Sequence, residues 1–326
     1  MQTAYRLAKE KDERTFPCQW YAVNWSKSLK KRPLKISVVG LDIVLFRDQK
    51  GVVKAVHAYC PHRGADLVLG TCSDGHIRCP YHAWEFDGEG TCKQIPAHPK
   101  RPIPDFAHTN AYPVQEKAGL IWVYPAVVTD PPSLELFPEL DDPDLVLSPY
   151  DAVWSAHLTR AVESVLDVAH LPIVHQKTIG RRLAKEIEIN FESEGDQIEI
   201  HNGDGILEFR FPHLWILRPK KQRKAKFINF VTFTPVEKEK TLIFGHAGRN
   251  FAKFPGVNFI FSYYSSKILK EDQAVVESQH PRPIPEALRL EAHVPADGPQ
   301  VRFRQRWYAF LTNKEPRIVI SDTKKA

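Results

Sequence analysis

Four residues set the first chemistry this chain can do. Cys60-Pro61-His62 is followed, after sixteen intervening residues, by Cys79-Pro80-Tyr81-His82, so the pattern reads Cys-x-His-x16-Cys-x2-His. Two thiolates and two imidazoles on a pair of tight loops can hold a metal centre. Zinc accepts such a set, but finger-type zinc sites pair Cys with Cys and His with His along the sequence. Here each loop offers one of each. That suits a two-iron cluster, with Cys60 and Cys79 on one iron and His62 and His82 on the other. Replacing two thiolates by neutral imidazoles raises the potential of such a cluster well above that of all-Cys clusters. The first predicted centre is therefore an electron carrier.

The flanking residues agree. Arg63-Gly64 follows the first loop, Gly70 lies on the connecting hairpin, and Ala83-Trp84-Glu85-Phe86-Asp87 leads from the second loop into Gly88-Glu89-Gly90. The stretch Tyr59 to Gly90 resembles the Rieske [2Fe–2S] domain, all four ligands included. Cys18, Cys72 and Cys92 lie outside the motif and read as small buried or half-buried thiols.

A second constellation lies downstream, in Glu163-Ser164-Val165-Leu166-Asp167-Val168-Ala169-His170-Leu171-Pro172-Ile173-Val174-His175. Asp167 and His170 are three apart and share a face if the segment is helical. Pro172 then ends the helix and the chain turns, letting His175 approach His170. Taken alone, Asp-x2-His-x4-His also describes a loop whose imidazoles are merely hydrogen-bonded. With one carboxylate more, it makes the 2-His-1-carboxylate set of non-haem iron(II) sites, which leaves open positions for O2 and solvent. Glu271-Asp272-Gln273-Ala274-Val275-Val276-Glu277-Ser278-Gln279 supplies candidates. On a helix Asp272, Val275, Val276 and Gln279 form one face, which brings Asp272 to the metal and points Glu271 and Glu277 elsewhere.

Taken together, residues 17–313 resemble the catalytic α subunit of Rieske non-haem iron oxygenases, nearest to the short α-only demethylating monooxygenases and natural-product hydroxylases. The resemblance implies an α+β chain: an N-terminal all-β Rieske [2Fe–2S] domain, then an α+β helix-grip (START-like) catalytic domain with an antiparallel sheet. It implies that His170, His175 and Asp272 hold a mononuclear Fe(II), and that Asp167 hydrogen-bonds His170 and contacts the partner subunit's His82 in a homotrimer. It implies reductive O2 activation fed by an external reductase carrying flavin and a ferredoxin-type cluster and using NAD(P)H. The product is a hydroxylated, or oxidatively demethylated, small organic substrate. Ring cis-dihydroxylation with a β subunit is the alternative within the family; a pure electron-transfer Rieske protein is the alternative outside it. Many family members have Asn three residues before the bridging Asp, where this chain has Ser164.

The elements that must position these residues follow from patterning. Short strands bounded by Gly, Pro and Asp are predicted at Leu34–Val39, Asp42–Arg47, Val52–Ala58, His76–Arg78 and Leu120–Tyr124. Pro125-Ala126-Val127-Val128-Thr129-Asp130-Pro131-Pro132 resists helix and sheet alike and reads as a linker. The division expected is therefore a Rieske domain over 1–125 and a catalytic domain over 126–326. In the second, Asp151–Leu158 is predicted as strand and Arg160 to His170 as helix. Strands follow at Ile187–Phe191, Gln197–His201, Ile206–Phe211, Leu214–Leu217, Phe227–Phe233 and Thr241–Ala247, with helices near 258–279 and 299–311. Phe209, Phe211, Trp215, Phe230, Phe259, Phe261 and Tyr263 or Tyr264 are the predicted pocket aromatics, suited to an aromatic, heterocyclic or terpenoid-like molecule.

Composition bounds the rest. The 326 residues are 43% apolar, enough for two ordinary domain cores. Five cysteines do not form a disulfide framework and suit a reducing, cytoplasmic compartment. Met1 to Glu13 is charged and lacks the apolar core of a secretory signal, and Ile36 to Phe46, broken by Asp42, reads as a hairpin rather than a membrane span. The net charge of +6 is modest, and its main local excess is Arg218, Lys220, Lys221, Arg223, Lys224 and Lys226. That run reads as a solvated hairpin tip, or as a docking patch for an acidic electron-transfer partner. Without a helical basic stripe or a known motif, nucleic acid is excluded as a partner. Without Gly-x-Gly-x-x-Gly, the nicotinamide belongs to the reductase. Residues Ser321 to Ala326 are expected to fray.

Overall fold

The computed structural model describes residues 13–221, 224–285 and 290–320. Arg223 and the tail Ser321 to Ala326 lie outside the described residues. The described residues form two compact units, one of 18–134 with Ile320, the other of 13–17 with 135–319. The division falls just past the proline-rich stretch, whose Pro132 carbonyl accepts a hydrogen bond from Trp20 Nε1 within the first unit. Strand Thr15–Pro17 pairs antiparallel with Arg317–Val319, and Phe16 stacks on His157. The segment just before Cys18 therefore belongs with the second unit, which local patterning does not reveal.

The first unit is all-β. Leu34–Val38, Leu41–Arg47 and Val53–His57 form one antiparallel sheet. Thr71–Ser73, His76–Arg78, Glu85–Phe86 and Cys92–Gln94 form a second sheet, whose two central strands are joined by the loop carrying Cys79 and His82. A third joins Val114–Lys117, Leu120–Val123 and Tyr21–Trp25. The expected hairpin within Ile36 to Phe46 is present, turning at Val39 (φ 45°) and Gly40 (φ 75°), the paired positive φ that a tight type I′ turn requires. Val44, Phe46, Val56, Leu67, Ile77 and Phe86 are buried around Cys60 and Cys79, so the cluster loops rest directly on the core.

The second unit is built on a seven-stranded antiparallel sheet. Its spatial order is Val146–Trp154, Lys240–Arg249, Phe227–Glu237, Leu214–Pro219, Gly205–Arg210, Gln197–Asn202, Asn190–Glu194. Five of the six strands predicted from residue 186 onward lie where expected, and the first is shifted, running Asn190–Glu194 instead of Ile187–Phe191. The strand expected at Asp151–Leu158 instead runs Val146–Trp154, paired without a bulge with Thr241–Arg249, and Leu158 already opens a helix. Helices α1 (Leu158–Leu166), α2 (Leu171–Val174), α3 (Pro255–Val276) and α4 (Gly298–Thr312) cover the sheet. α3 packs on strand Val146–Trp154 and α4 on the opposite end, Asn190–Asn202. This is the α+β helix-grip arrangement expected.

One expectation is corrected here. The predicted helix from Arg160 to His170 stops at Leu166, and Asp167 has left helical geometry (φ −86°, ψ 120°). Its carboxylate accepts hydrogen bonds from the backbone N–H of Ala169 and His170, offering the chain a local alternative to the helix. Pro172 does not end a helix. It sits in the first turn of α2, where its missing N–H costs nothing.

Among the described residues no helix is long and apolar enough to cross a membrane. In the basic run, Arg218 pairs with Glu208 and Lys226 with Asp142, while Lys220, Lys221 and Lys224 are exposed.

Candidate metal centres and the apolar cavity

The two cluster loops are copies of one another in backbone hydrogen bonding. Cys60 N–H donates to the Ala65 carbonyl and Gly64 N–H to the Cys60 carbonyl, both at 2.9 Å; Cys79 N–H donates to Trp84 at 2.8 Å and Ala83 N–H to Cys79 at 3.1 Å. The fourth residue after each Cys takes a positive φ, Gly64 at 68° and Ala83 at 57°. For Ala83 this costs about 1–2 kcal/mol, and the surrounding loop holds it there. The loops bring the His62 and His82 ring centroids to 4.6 Å, with Trp84 stacked flat on His62.

These groups are poor neighbours unless something binds between them. His62 Nδ1 and His82 Nδ1 are buried and meet no hydrogen-bond partner among the described residues, an omission worth about 1–3 kcal/mol per atom. Burial, together with the adjacent Cys79 thiol, pushes the Cys60 thiol up to about 11. A cation bound between the loops would satisfy the nitrogens and stabilise the thiolates. The pairing of one Cys and one His on each loop suits a two-iron cluster better than zinc.

The second set is compact enough to hold a single ion. His170 Nε2 and His175 Nε2 are 3.3 Å apart, and Asp272 Oδ1 lies 3.3 Å from the first and 3.0 Å from the second. The break at Asp167 and the turn of α2 bring the two imidazoles together, while α3 delivers Asp272. The electrostatics favour positive charge. Burial works against a charged His170, but the negative charges of Asp167 and Asp272, with the hydrogen bond to Asp272, outweigh it and raise its pKa to about 9. His175 is raised and Asp272 lowered, each against the cost of burial, through their mutual hydrogen bonds and charges. Three donors poised around a positive charge fit a divalent metal.

Asp167 stands beside the set, Oδ2 3.6 Å from His170 Nδ1, an ion-pair distance longer than a hydrogen bond. Ser164 borders the site with its hydroxyl committed to the Ala161 carbonyl at 2.8 Å. Glu271 departs from expectation. It does not point elsewhere: its Oε2 accepts from His175 Nδ1 at 2.8 Å and from Thr178 Oγ1 at 2.6 Å. Glu277 does point away, accepting from the Ser155 N–H at 2.7 Å.

An apolar cavity of about 410 Å³ opens onto His170, His175 and Asp272. Its floor is the sheet face bearing Leu207, Trp215, Leu217, Phe227 and Val231; Phe261, Tyr264 and Leu269 of α3 form the opposite wall. Of the predicted pocket aromatics, Trp215, Phe261 and Tyr264 line it. Phe209 and Phe211 pack instead on Phe303 of α4 and Phe230 on Phe137, while Phe259 and Tyr263 stack together on the outer surface of α3. On the other side of the set a polar cavity of about 380 Å³ is walled by Arg160, Glu163, Glu291 and Arg304, paired with one another.

Comparison with known proteins agrees with both halves. Residues 19–113 match the Rieske [2Fe–2S] domain, and 203–312 match the vanillate O-demethylase oxygenase C-terminal domain. Methylxanthine N1-demethylase NdmA of Pseudomonas putida is 26% identical over 302 residues, covering 85% of this chain and 80% of its own length. Its solved structure superposes with a TM-score of 0.81 at 24% identity, over 97% of this chain and 99% of that one. Protein TIC 55 of Arabidopsis thaliana is 34% identical over 170 residues. That match takes in 49% of this chain but only 30% of TIC 55, and two further relatives at similar identity are spanned over only 25% of their length. One chain thus carries a Rieske [2Fe–2S] domain and, after it, a C-terminal domain of the vanillate O-demethylase oxygenase family.

Proposed function

We propose that this chain is the oxygenase component of a Rieske-type monooxygenase that hydroxylates, or oxidatively demethylates, a small neutral organic molecule. The observation that carries the reading is the convergence of His170, His175 and Asp272 on the lining of an apolar cavity. In this reading Cys60, His62, Cys79 and His82 hold the [2Fe–2S] cluster and the triad holds Fe(II). Bound there, the two metals would supply electrons to O2, an external flavin- and NAD(P)H-dependent reductase having reduced the cluster.

The chain's own residues do the rest. Glu271 fixes the His175 ring through Nδ1, leaving Nε2 for the metal, and Asp167 attracts the Nδ1 edge of His170 in the same sense. The hydrocarbon walls hold an apolar substrate against the open side of the triad and keep bulk water from it. A homotrimer, with Asp167 beside His82 of the partner subunit, would join the two centres across chains. A reducing cytoplasm suits five free cysteines.

The test is turnover of a panel of aromatic, heterocyclic and terpenoid compounds with a surrogate reductase, NADH and O2, read by product mass. Gain of one oxygen atom, or net loss of one methylene, is the expected outcome. Addition of both atoms of O2 to a ring, or NADH consumption yielding only reduced oxygen species across the panel, contradicts it.

A further inference from the structure

The floor of the apolar cavity consists of rows of directly opposed residues, which point to one face of an antiparallel sheet. One row runs Tyr150–Gly245–Val231–Trp215 and the next Ala247–Asn229–Leu217–Leu207. Asn229 therefore stands among hydrocarbon. Gly245 leaves room for the Tyr150 ring to lie across it; a Cβ there would sit 2.2 Å from Tyr150 Cζ. Lying across it, the ring carries its hydroxyl into the next row, where it donates to Asn229 Oδ1 at 2.5 Å.

That bond fixes the amide. With the amide reversed, the Tyr150 proton would have only the Phe230 carbonyl, at 3.5 Å, too long for a buried phenol. Oδ1 is thus occupied and Nδ2 presents its two N–H donors, with no acceptor among the described residues. The indole N–H of Trp215, in the neighbouring row, is buried and without an acceptor. Neither Lys nor Arg lines this cavity, and the carboxylates of Asp167 and Asp272 do. Away from the triad, an anionic substrate would therefore find no cationic side chain on these walls.

We propose that Asn229, held by Tyr150, is the substrate-orienting donor of this cavity, and that the cavity takes a flat, neutral molecule bearing a carbonyl oxygen. This rests on the oxygenase reading and deepens it. The carbonyl accepts from Nδ2, which turns one edge of the ring toward the triad and makes Asn229 a determinant of specificity and of the position oxidised.

Equilibrium dialysis of the holoenzyme tests this with matched neutral probes, coumarin against chromene and N-methylquinolone against N-methyldihydroquinoline, plus the anion coumarin carboxylate. The carbonyl member should bind about tenfold more tightly in wild type, the worth of one desolvated hydrogen bond. Asn229→Leu should abolish that preference and leave chromene binding within about twofold. Asn229→Leu combined with Tyr150→Phe removes the stranded hydroxyl and should behave alike. No carbonyl preference in wild type, equal weakening of both members, or tightest binding of the carboxylate would overturn the proposal. Iron and cluster content of the same samples separates the two readings. A persistent carbonyl preference in Asn229→Leu with both metals retained sinks only the role of Asn229, whereas a wild-type chain without iron sinks the oxygenase reading.

Discussion

Glu271 and Asp272, consecutive on one helix, hold opposite nitrogens of a single imidazole: Asp272 Oδ1 lies 3.0 Å from His175 Nε2 and Glu271 Oε2 2.8 Å from His175 Nδ1. The ring is thereby fixed in plane and tautomer, with Nδ1 protonated toward Glu271 and Nε2 free to bind a metal. Thr178 donates to the same Glu271 oxygen at 2.6 Å and anchors it from the other side.

Glu271→Ala should weaken iron binding at the triad about 10–100-fold, the usual effect of removing the partner of a ligating histidine. Glu271→Gln, which still offers an accepting oxygen, should lose much less. Iron titration of metal-stripped protein, with the cluster spectrum as internal control, measures this. Equal affinity in wild type and Glu271→Ala would assign Glu271 a purely structural role.

Much of the architecture is legible in the sequence where the signal is local. The Cys60–His62 and Cys79–His82 spacings, the alternating strands from 186 to 249, and the helical phase that selects Asp272 all depend on near neighbours. What is not legible depends on reach or on distant pairing. Helical phase turns Glu271 roughly a quarter-turn from Asp272, but its longer side chain reaches round to the far edge of the ring. Asp167 breaks its helix with its own carboxylate, a competition that hydrophobic period does not register. Thr15–Pro17 joins the second unit through a strand partner three hundred residues away.

The cluster loops make a prediction about potential. With two imidazole ligands the reduction potential should fall within about −150 to +300 mV, and His62→Cys or His82→Cys should move a surviving cluster toward about −400 mV. Redox titration followed by EPR reads it. A variant potential equal to wild type would show that the substituted histidine is not a ligand.

Gly180 holds the loop that carries His175. Its N–H donates to the His175 carbonyl at 2.9 Å, and a Cβ on it would meet the Leu171 carbonyl oxygen at 1.9 Å. Backbone cannot yield as a flexible side chain would. Gly180→Ala should cost about 2–4 kcal/mol in denaturant unfolding of the second unit and lower iron occupancy, with the cluster spectrum preserved. An unchanged midpoint and full iron occupancy would contradict this packing.

Asp167 belongs to neither donor set, yet it attracts the His170 edge and, in the proposed trimer, faces His82 of the partner subunit. Asp167→Asn keeps the size and loses the charge. Both metals should stay bound, the reductase should still reduce the cluster, and product formation should fall by at least about tenfold. Rapid mixing of reduced protein with O2 should show a cluster that stays reduced. Normal reoxidation, or a fully active monomer by light scattering, would remove the bridge.

The central claim is that one chain carries a two-iron cluster and a separate single-iron site. Combined iron, zinc and acid-labile sulfide analysis of anaerobically reconstituted protein tests it most directly, on wild type and on His170→Ala with His175→Ala. Wild type should hold about three irons and two sulfides per chain, and the double variant about two irons with the sulfide and cluster EPR signal unchanged. Stoichiometric zinc without sulfide, or a third iron retained after both histidines are gone, would contradict it.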